Sequence, residues 1–263
     1  MNKVKQNKTK VYLIGAGPGD PELLTKKAER ILSEADTVIY DSLVSRDIIR
    51  KIKKAVKIPA GRRKQRHSVS QQRVNELILE NVMKGRVVAR LKGGDPLIFG
   101  RAAEEMDFLE KHGISYEIVP GISAAQAAAA CMKIPLTERG MSSSVIFCTG
   151  HPMNSVYIPP KNFKGTVVFY MAATVINEIS KMFLKKGWPA GTPLAVASGV
   201  GTKPQKTYRL NLGTAAKRIK PFFSPATVII GSVVNRQPRS AKKKESYDKY
   251  RIIPIKMGGV GNH

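Results

Sequence analysis

The sequence predicts an α/β protein with two domains, each built on a mostly parallel sheet, and a cleft between them. Three observations support this class. From residue 11 to about residue 133, apolar strands alternate with helical segments, which is the pattern of a parallel sheet covered by helices. Two glycine turns each follow a hydrophobic strand, and a second group of apolar strands follows residue 137. The chain has 263 residues, enough to bury two cores of ordinary size.

The first domain is predicted to contain alternating strands and helices. The strands are expected at residues 10–14, 37–40, 87–91 and 116–119, and the helices at residues 21–33, 71–84, 101–111 and 123–131. Asp20-Pro21 and Asp95-Pro96 favour helix starts, because Asp stabilises the first turn and Pro needs no bonded amide there. The alanine-rich last helix suits close packing, and Ser123 at its start offers a hydroxyl beside free amide groups.

The second domain is predicted to follow a connector at residues 134–137. Its strands are expected at residues 144–149, 166–170, 194–197 and 226–230, with a helix at residues 176–186. The resulting organisation is a basic tail at residues 1–10, domains at residues 11–136 and 137–235, and a second basic tail at residues 236–263.

The two glycine turns are the most informative feature of the chain. One spans residues 15–21 after the first strand, and the other lies within residues 90–101. Glycines at such turns let a ligand approach the backbone closely. Because parallel strands end at the same edge of a sheet, we expect the turns to form the walls of a single cleft.

A dinucleotide site fits these turns poorly. The glycines lack the G-x-G-x-x-G spacing, and Pro18 has no amide hydrogen for a phosphate. Asp20 and Asp95 put negative charge where a pyrophosphate needs positive potential, and Asp41 lies too late to be the ribose acid. Carboxylates and carbonyls beside glycines suit a ligand with hydroxyls, amines and a positive centre, such as an adenosyl sulfonium. The alternative, that both Asp-Pro pairs only begin helices, does not exclude that ligand.

Several motifs in collinear order, from about residue 10 to residue 235, carry a family resemblance. They are residues 15–25, Tyr40-Asp41-Ser42-Leu43-Val44, His67-Ser68 with Gln71-Gln72, residues 90–101, residues 119–123, Pro135-Leu136-Thr137 with Arg139, Thr149-Gly150-His151 and Phe169-Tyr170-Met171. On these residues the chain resembles the tetrapyrrole methyltransferases. The resemblance implies their fold, a homodimer, and S-adenosyl-L-methionine as methyl donor with S-adenosyl-L-homocysteine as product. It also implies two successive C-methylations that convert uroporphyrinogen III, a polyanionic tetrapyrrole, to precorrin-2.

The resemblance also carries roles to matching positions. The residues expected to bind the donor are Pro18, Gly93, Gly94, Asp95, Ile98, Ser123, Ala124, Met171, Val200 and Ala226. The candidate catalytic residues are Arg101, Asp41, Glu104 and His151, with Asp41 near the transferred methyl group. The candidate substrate-binding residues are Arg101, Arg139 and His151. Arginines there make sense as bidentate clamps for substrate carboxylates, and His67 is a weaker candidate.

Three positions depart from the family pattern. Family members often have His where this chain has Glu138, and an acid beside Arg139 could alter acceptor binding. The loop at residues 198–202 lacks the Glu or Gln often found near its start, and Val200 stands where Ala or Gly is usual.

The charge of the chain, formally +26, points to an anionic partner or to a solvated basic face. The two tails contribute +4 and +6, and residues 50–66 hold nine basic residues and no acid. The tetrapyrrole and RNA are both candidate partners. Only 6% of residues are aromatic and no RNA-binding signature occurs, so nucleic acid is disfavoured and the motifs favour the tetrapyrrole.

The remaining composition argues for a cytoplasmic protein without a metal. No run of about 18 apolar residues is present, and the polar first ten residues do not form a signal peptide, so no membrane contact is expected. Cys131 and Cys148 are predicted to be inert buried thiols, and the four histidines lack metal-ligand spacing. The alternatives left open are a later precorrin methyltransferase, an RNA-binding or rRNA-modifying protein, and a cofactor-binding regulator without turnover.

Overall fold

The computed structural model describes residues 10–61, 70–218 and 220–236. The first unit is an α/β sheet domain, and its elements are β1 (Val11–Gly15), α1 (Lys26–Glu34), β2 (Thr37–Tyr40), α2 (Arg46–Lys51), β3 (Val56–Pro59), α3 (Gln71–Val82), β4 (Val88–Lys92), α4 (Ala102–Lys111), β5 (Tyr116–Val119) and α5 (Ala124–Met132). The predicted His67, the later part of the basic run, and both basic tails except Lys10 and Arg236 lie outside the described residues.

The first sheet is parallel throughout, in the order β3-β2-β4-β1-β5. The α/β class is therefore confirmed. β1 and β4 are neighbours and are buried almost completely, because both faces of a parallel sheet are covered by helices. Their adjacency places the two glycine turns side by side, and β2 on the other side of β4 brings Asp41 to the same edge.

Helix starts in this unit follow capping chemistry. The predicted helix at residues 21–33 is a short 3-10 turn, Pro21–Leu23, followed by α1, and the break occurs where Thr25 caps α1 by accepting from the Ala28 amide. Asp20 accepts from the Glu22 amide, so it caps the 3-10 turn. Ser123 and Gln126 form a reciprocal capping box at the start of α5.

The second unit has a mixed sheet. Its elements are β6 (Val145–Thr149), β7 (Thr166–Tyr170), α6 (Ile176–Lys185), β8 (Pro193–Ser198), β9 (Lys206–Asn211), α7 (Leu212–Ala216) and β10 (Ala226–Ile230). The strand order is β6-β7-β10-β8-β9, and only β6 and β7 run parallel. The second sheet is therefore mixed and not mostly parallel, which corrects the expectation for this unit. β8 and β9 are joined by the short loop 199–205, and a connection without a crossover helix requires antiparallel strands.

The alanine-rich α5 joins the two units. Its buried face packs against the second sheet, as expected for a helix of small residues, with Ala125, Ala128 and Ala129 in contact with a cluster that includes Val168 and Ile229. The small side chains let the helix lie close to the strands. Within the described part of the chain, no helix is long and apolar enough to cross a membrane.

Candidate functional site

The two glycine turns form one continuous platform at the carboxyl ends of β1 and β4. Gly17 donates its amide hydrogen to the Gly94 carbonyl at 3.1 Å, and Gly94 donates to the Gly17 carbonyl at 2.8 Å. Ala16 donates to the Lys92 carbonyl at 2.8 Å. These bonds hold the turns in register, so the turns that the sequence placed at one cleft are brought together.

A third backbone segment meets this platform. A Cβ atom added to Gly15 would lie 2.6 Å from the Gly121 Cα, so glycine is required where these segments touch. Asp95 fixes the same contact, because one carboxylate oxygen accepts from the Gly121 amide at 3.0 Å and the other from the Leu97 amide at 2.9 Å. Both oxygens of Asp95 thus already bind the backbone.

Gly94 itself has room for an added side-chain atom beside it. Its φ is +71°, and an added Cβ would have only the Ala124 amide nitrogen, at 3.9 Å, as a near neighbour. The start of α5 therefore faces the turn across a gap, with Ser123 buried beneath it. Gly93 packs on Leu43, which follows Asp41 in the chain. The glycine pattern predicts a ligand at this turn, and the space beside Gly94 is the candidate position for it.

Aromatic side chains that the sequence analysis did not single out lie beside this gap. The Tyr170 hydroxyl donates to the Ser123 Oγ at 3.3 Å, and burial raises the pKa of Tyr170. The Phe99 and Phe147 rings lie 5.1 and 5.8 Å from the Tyr170 ring, between centroids. Tyr170 therefore links the second sheet to the start of α5, and the only sequence signal for it was its place before Met171.

A loop of the second unit covers the first glycine turn. A Cβ on Gly19 would lie 2.6 Å from the Thr202 Cγ2, and a Cβ on Gly201 would lie 3.0 Å from the Asp20 amide nitrogen. Gln205 supports this loop, since its Oε1 accepts from the Gly201 amide at 3.1 Å. Val200 and Pro18 are both half-buried in this region, and Ala226 is buried in β10.

Gln205 also reaches α5. Its Nε2 lies 3.0 Å from the Cys131 Sγ. Cys131 is half-buried, whereas Cys148 is buried and burial raises its thiol pKa. The interpretation as buried thiols therefore fits Cys148 better than Cys131.

Met171 follows β7 in a left-handed conformation, with a φ of 54° and a side chain that is 49% exposed. Ile98 is half-buried against the core around α5. His151 is exposed after β6, and its backbone is held by Thr149, whose hydroxyl accepts from the His151 amide and donates to its carbonyl. The structure therefore places His151 on a turn whose backbone is held by hydrogen bonds, with its side chain exposed at the surface.

Arg101 forms a bidentate ion pair with Glu104, with Nε–Oε1 and Nη2–Oε2 distances of 2.7 and 2.6 Å. The hydrogen bond lowers the pKa of Glu104 and raises that of Arg101. The Arg101 side chain is 60% exposed. Glu104 is thus a partner of the candidate clamp and stays charged.

The remaining acceptor-side candidates lie on other segments. Arg139 is exposed. Its neighbour Glu138 lies 2.9 Å from the Arg236 Nε in an ion pair not aligned as a hydrogen bond, so the unusual acid has a compensating cation. Asp41 is paired with Arg90.

Two surface cavities among the described residues lie outside this cleft. One, of about 410 Å³, runs along α5 from Gln126 to Lys133 and on to Leu136, and the other, of about 430 Å³, lies between the end of α5 and β9. The glycine platform and the loop above it therefore define the candidate site by their contacts. No group of three or more His, Cys, Asp or Glu side chains suited to a metal occurs among the described residues.

The parallel sheet, the mixed second sheet, the paired glycine turns and the covering loop define an α/β protein whose candidate ligand site lies at the carboxyl edge of the first sheet. The profile of the Tetrapyrrole (Corrin/Porphyrin) Methylases matches residues 10–216. The chain belongs to this family.

Individual relatives agree with that membership. The chain is 44% identical to the uroporphyrinogen-III C-methyltransferase of Synechocystis, with 95% of each chain covered. It is 42% identical to the siroheme synthase of Pseudoalteromonas atlantica, covering 87% of this chain and 51% of that protein, so it spans about half the length of such relatives. The uroporphyrin-III C-methyltransferase of Thermus thermophilus, solved with S-adenosyl homocysteine, is 34% identical, with a TM-score of 0.72 over 86% of this chain and 99% of that one.

Proposed function

We propose that this chain is an S-adenosyl-L-methionine-dependent C-methyltransferase that converts uroporphyrinogen III to precorrin-2 by two successive methylations. The observation that carries the proposal is the 44% identity to the Synechocystis uroporphyrinogen-III C-methyltransferase along 95% of both chains. The siroheme synthase of Pseudoalteromonas atlantica contains further sequence, whereas the Synechocystis and Thermus proteins are matched over 95% and 99% of their lengths, so these two are the better guides. The paired glycine turns, which are hydrogen-bonded to each other, supply a backbone platform against which a donor could bind.

The cradle beside Gly94 fits the donor. The gap toward the Ala124 amide leaves room against the backbone, and backbone carbonyls and amides there suit hydroxyls and amines. The nearby carboxylates of Asp20 and Asp95 favour a positive centre over a phosphate. When bound, the donor supplies a methyl group on a sulfonium. Its proposed binding residues are Pro18, Gly93, Gly94, Asp95, Ile98, Ser123, Ala124, Met171, Val200 and Ala226.

The acceptor is assigned to the exposed, basic side of the cleft. Arg101, Arg139 and His151 are proposed to bind its carboxylates. Arg101 would then either release Glu104 or bind Glu104 and a substrate carboxylate together. Lys53, Lys54 and Lys57 follow α2 and are exposed, and they add positive potential that draws a polyanion toward the site.

The chemistry requires alignment and charge control. Methyl transfer forms a carbon–carbon bond, breaks the carbon–sulfur bond with its electron pair left on sulfur, and leaves a positive charge on the acceptor until a proton departs. Holding both reactants in line is worth roughly 7–11 kcal/mol. A carboxylate at Asp41 would stabilise the developing positive charge.

Two features of organisation belong to the same proposal. A division of the chain at residues 136 and 137 is supported by the two separate sheets, although α5 of the first unit packs on the second. A homodimer follows from the family resemblance. Analytical ultracentrifugation of the purified chain measures it directly, and a monomer at micromolar concentration contradicts the dimer.

The first experiment is an anaerobic assay of the purified chain with S-adenosyl-L-methionine and uroporphyrinogen III, followed by the mass of the product. A gain of two methyl groups is expected. If the protein binds the donor but the product gains no methyl group, the assignment of uroporphyrinogen III as the substrate is wrong. A later precorrin or RNA is then left as the acceptor.

A further inference from the structure

Charged side chains gather beneath the acceptor side of the cleft. Arg90 and Lys92 on β4 are each 2% exposed, and Glu105 on α4 is fully buried. Asp41, just after β2, keeps 29% of its side chain exposed. Two cations and two carboxylates make the group neutral. Buried ion pairs are often no more stabilising than apolar residues of similar size, so stability alone does not account for this cluster.

Glu105 is the centre of the buried part. Its Oε1 accepts from the Arg90 Nε at 2.9 Å and from the Gln71 Nε2 at 3.0 Å. The Lys92 Nζ donates to both oxygens of Glu105, at 2.8 and 2.9 Å. Glu105 therefore holds both cations in place, and α3, α4 and β4 all contribute to the arrangement.

Arg90 extends this arrangement toward the cleft. Its Nη2 donates to the Asp41 Oδ1, while its Nη1 lies 3.4 Å from the carbonyls of Ile39 and Leu91. The Asp41 backbone is tied to the sheet as well, because its amide donates to the Leu91 carbonyl at 3.1 Å. Among the described residues, only one oxygen of Asp41 has a hydrogen-bond donor. The second oxygen is therefore available to a ligand on a side chain that is partly exposed.

We propose that Arg90 is a positioning residue that orients the Asp41 carboxylate toward the acceptor, and that the Lys92–Glu105 pair holds Arg90 in place. This inference rests on the proposed methyl transfer, in which Asp41 stabilises charge on the acceptor. The planar guanidinium of Arg90 bridges two carboxylates, the buried Glu105 and the partly exposed Asp41, which is proposed to face the ligand.

The electrostatics are consistent with a fixed bridge. Burial lowers the pKa of Arg90, but Glu105 and Asp41 outweigh that effect and raise it overall, so Arg90 stays charged. Burial, together with Arg90, lowers the pKa of Lys92. Of the two cations, Arg90 is thus the permanent one, and it is the one that reaches Asp41.

A double-mutant cycle tests the inference. Arg90→Met leaves Glu105 paired with Lys92, so the buried charges stay balanced. We expect it to lower kcat on the order of 100-fold, as for a misplaced catalytic group, with the donor Kd unchanged. We expect Asp41→Asn to lower kcat similarly, and Arg90→Met with Asp41→Asn to be no slower than Asp41→Asn alone. Losses that multiply in the double variant overturn the inference, as does wild-type kcat in Arg90→Met.

Arg86→Met is the matched control. Arg86 lies just before β4, at the opposite end of the same strand, and its Nη1 donates to the Asn81 Oδ1 at 2.9 Å. Its loss should reduce the melting temperature while kcat stays at the wild-type value. If Arg90→Met does not fold, Arg90→Gln, which keeps an amide donor near Glu105, replaces it in the cycle.

The cycle also separates this inference from the proposed function. A wild-type protein that does not methylate uroporphyrinogen III contradicts the function. In that case the crystal structure of Arg90→Met decides the positioning role: an Asp41 side chain in a new rotamer supports it, and an unchanged rotamer overturns it.

Discussion

Individual residues around the cleft carry unusual backbone angles. Phe99, Arg101 and Met171 have φ values of 52°, 56° and 54°, in the left-handed region that non-glycine residues rarely occupy. Each costs roughly 1–2 kcal/mol relative to ordinary helical angles. The fourth such residue, Lys133, ends α5, where this conformation is common. Strain is thus concentrated at the candidate site, which fits a site whose side chains are held for function.

Gly94→Ala tests the donor cradle. The change places a Cβ in the gap beside the Ala124 amide, at a φ of +71°. We expect a loss of about 1 kcal/mol in the free energy of unfolding. We also expect at least about a tenfold weaker donor Kd, equivalent to roughly 1.4 kcal/mol, by calorimetry. Gly113→Ala is the control, since Gly113 has a φ of +62° with no atom within 4 Å. It should lose similar stability and keep the donor Kd, and equal donor affinities in the two variants would remove Gly94 from the site.

Arg101→Ala tests the proposed carboxylate clamp. The side chain is exposed, so the unfolding free energy should change by less than about 0.5 kcal/mol. We expect the KM for uroporphyrinogen III to rise roughly 10- to 100-fold, because hydrogen bonds to charged groups contribute about 1.5–3 kcal/mol. The donor Kd should not change.

Arg30→Ala provides the matched control for that experiment. Arg30 forms an exposed helical ion pair with Glu34 on α1, at 3.4 Å. Its KM should equal that of the wild type. An unchanged KM in Arg101→Ala would mean that other cations bind the substrate carboxylates.

At the scale of elements, the two strands that the sequence did not predict, β3 and β9, each lie at one edge of a sheet. β3 has exposed Val56 and Lys57, and β9 has exposed Lys206, Thr207 and Arg209. An edge strand needs little apolar surface and can be protected by charge, so β3 and β9 lack the hydrophobic runs that identified the other strands, including β5 and β6 at the opposite edges. The short α2 and α7 were missed as well, since six- and five-residue helices carry little periodicity.

The candidate site was predicted in part. Glycine turns after apolar strands were visible in the sequence, and parallel strands brought them together. The Arg90–Glu105 cluster could not be predicted from spacing, because its members come from separate elements. One signal existed: Glu105 shares the buried face of α4 with Ala102 and Leu109, three and four residues away. An acid on an apolar helix face indicates a buried partner.

Glu117 ties neighbouring elements together and predicts an acid-sensitive contact. This residue of β5 pairs with Lys10, just before β1, and with Lys27 on α1. Hydrogen bonds from these lysines lower the pKa of Glu117 from 4.5 to about 2. A folded-state pKa below the unfolded one contributes stability above pH 4.5, and that contribution is lost as the pH falls from 4.5 to about 2.

Glu117→Gln should therefore destabilise the protein at pH 7 and matter little near pH 2. Because the pair is partly exposed, we expect a loss of at most about 1 kcal/mol at pH 7. Urea unfolding between pH 2 and pH 7 measures the difference. Glu34→Gln, at an exposed helical pair, is the control and should show a smaller change. A Glu117→Gln difference that is constant over this pH range contradicts the pairing.

At the scale of the whole molecule, two of the contacts between the units bear on the cleft. α5 packs on the second sheet, and the loop 199–205 of the second unit covers the first glycine turn. Gln205 connects the two contacts, because it binds both the Gly201 amide and Cys131 of α5. The cleft is therefore bounded by both units, and its dimensions depend on how closely the loop approaches Gly19.

Gly201→Ala tests whether that approach sets donor affinity. At Gly201, φ is +74°, and a Cβ would lie 3.0 Å from the Asp20 nitrogen and 3.1 Å from the Pro18 carbonyl carbon. These are backbone atoms of a hydrogen-bonded turn, so the loop must move away instead of the turn. We expect roughly a tenfold weaker donor Kd, about 1.4 kcal/mol. Gly140→Ala is the control, because Gly140 also has a positive φ, of +81°, but an added Cβ would have no atom within 4 Å. Its donor Kd should match the wild type at a similar loss of stability, and if Gly201→Ala binds the donor equally well, the loop does not close the donor site.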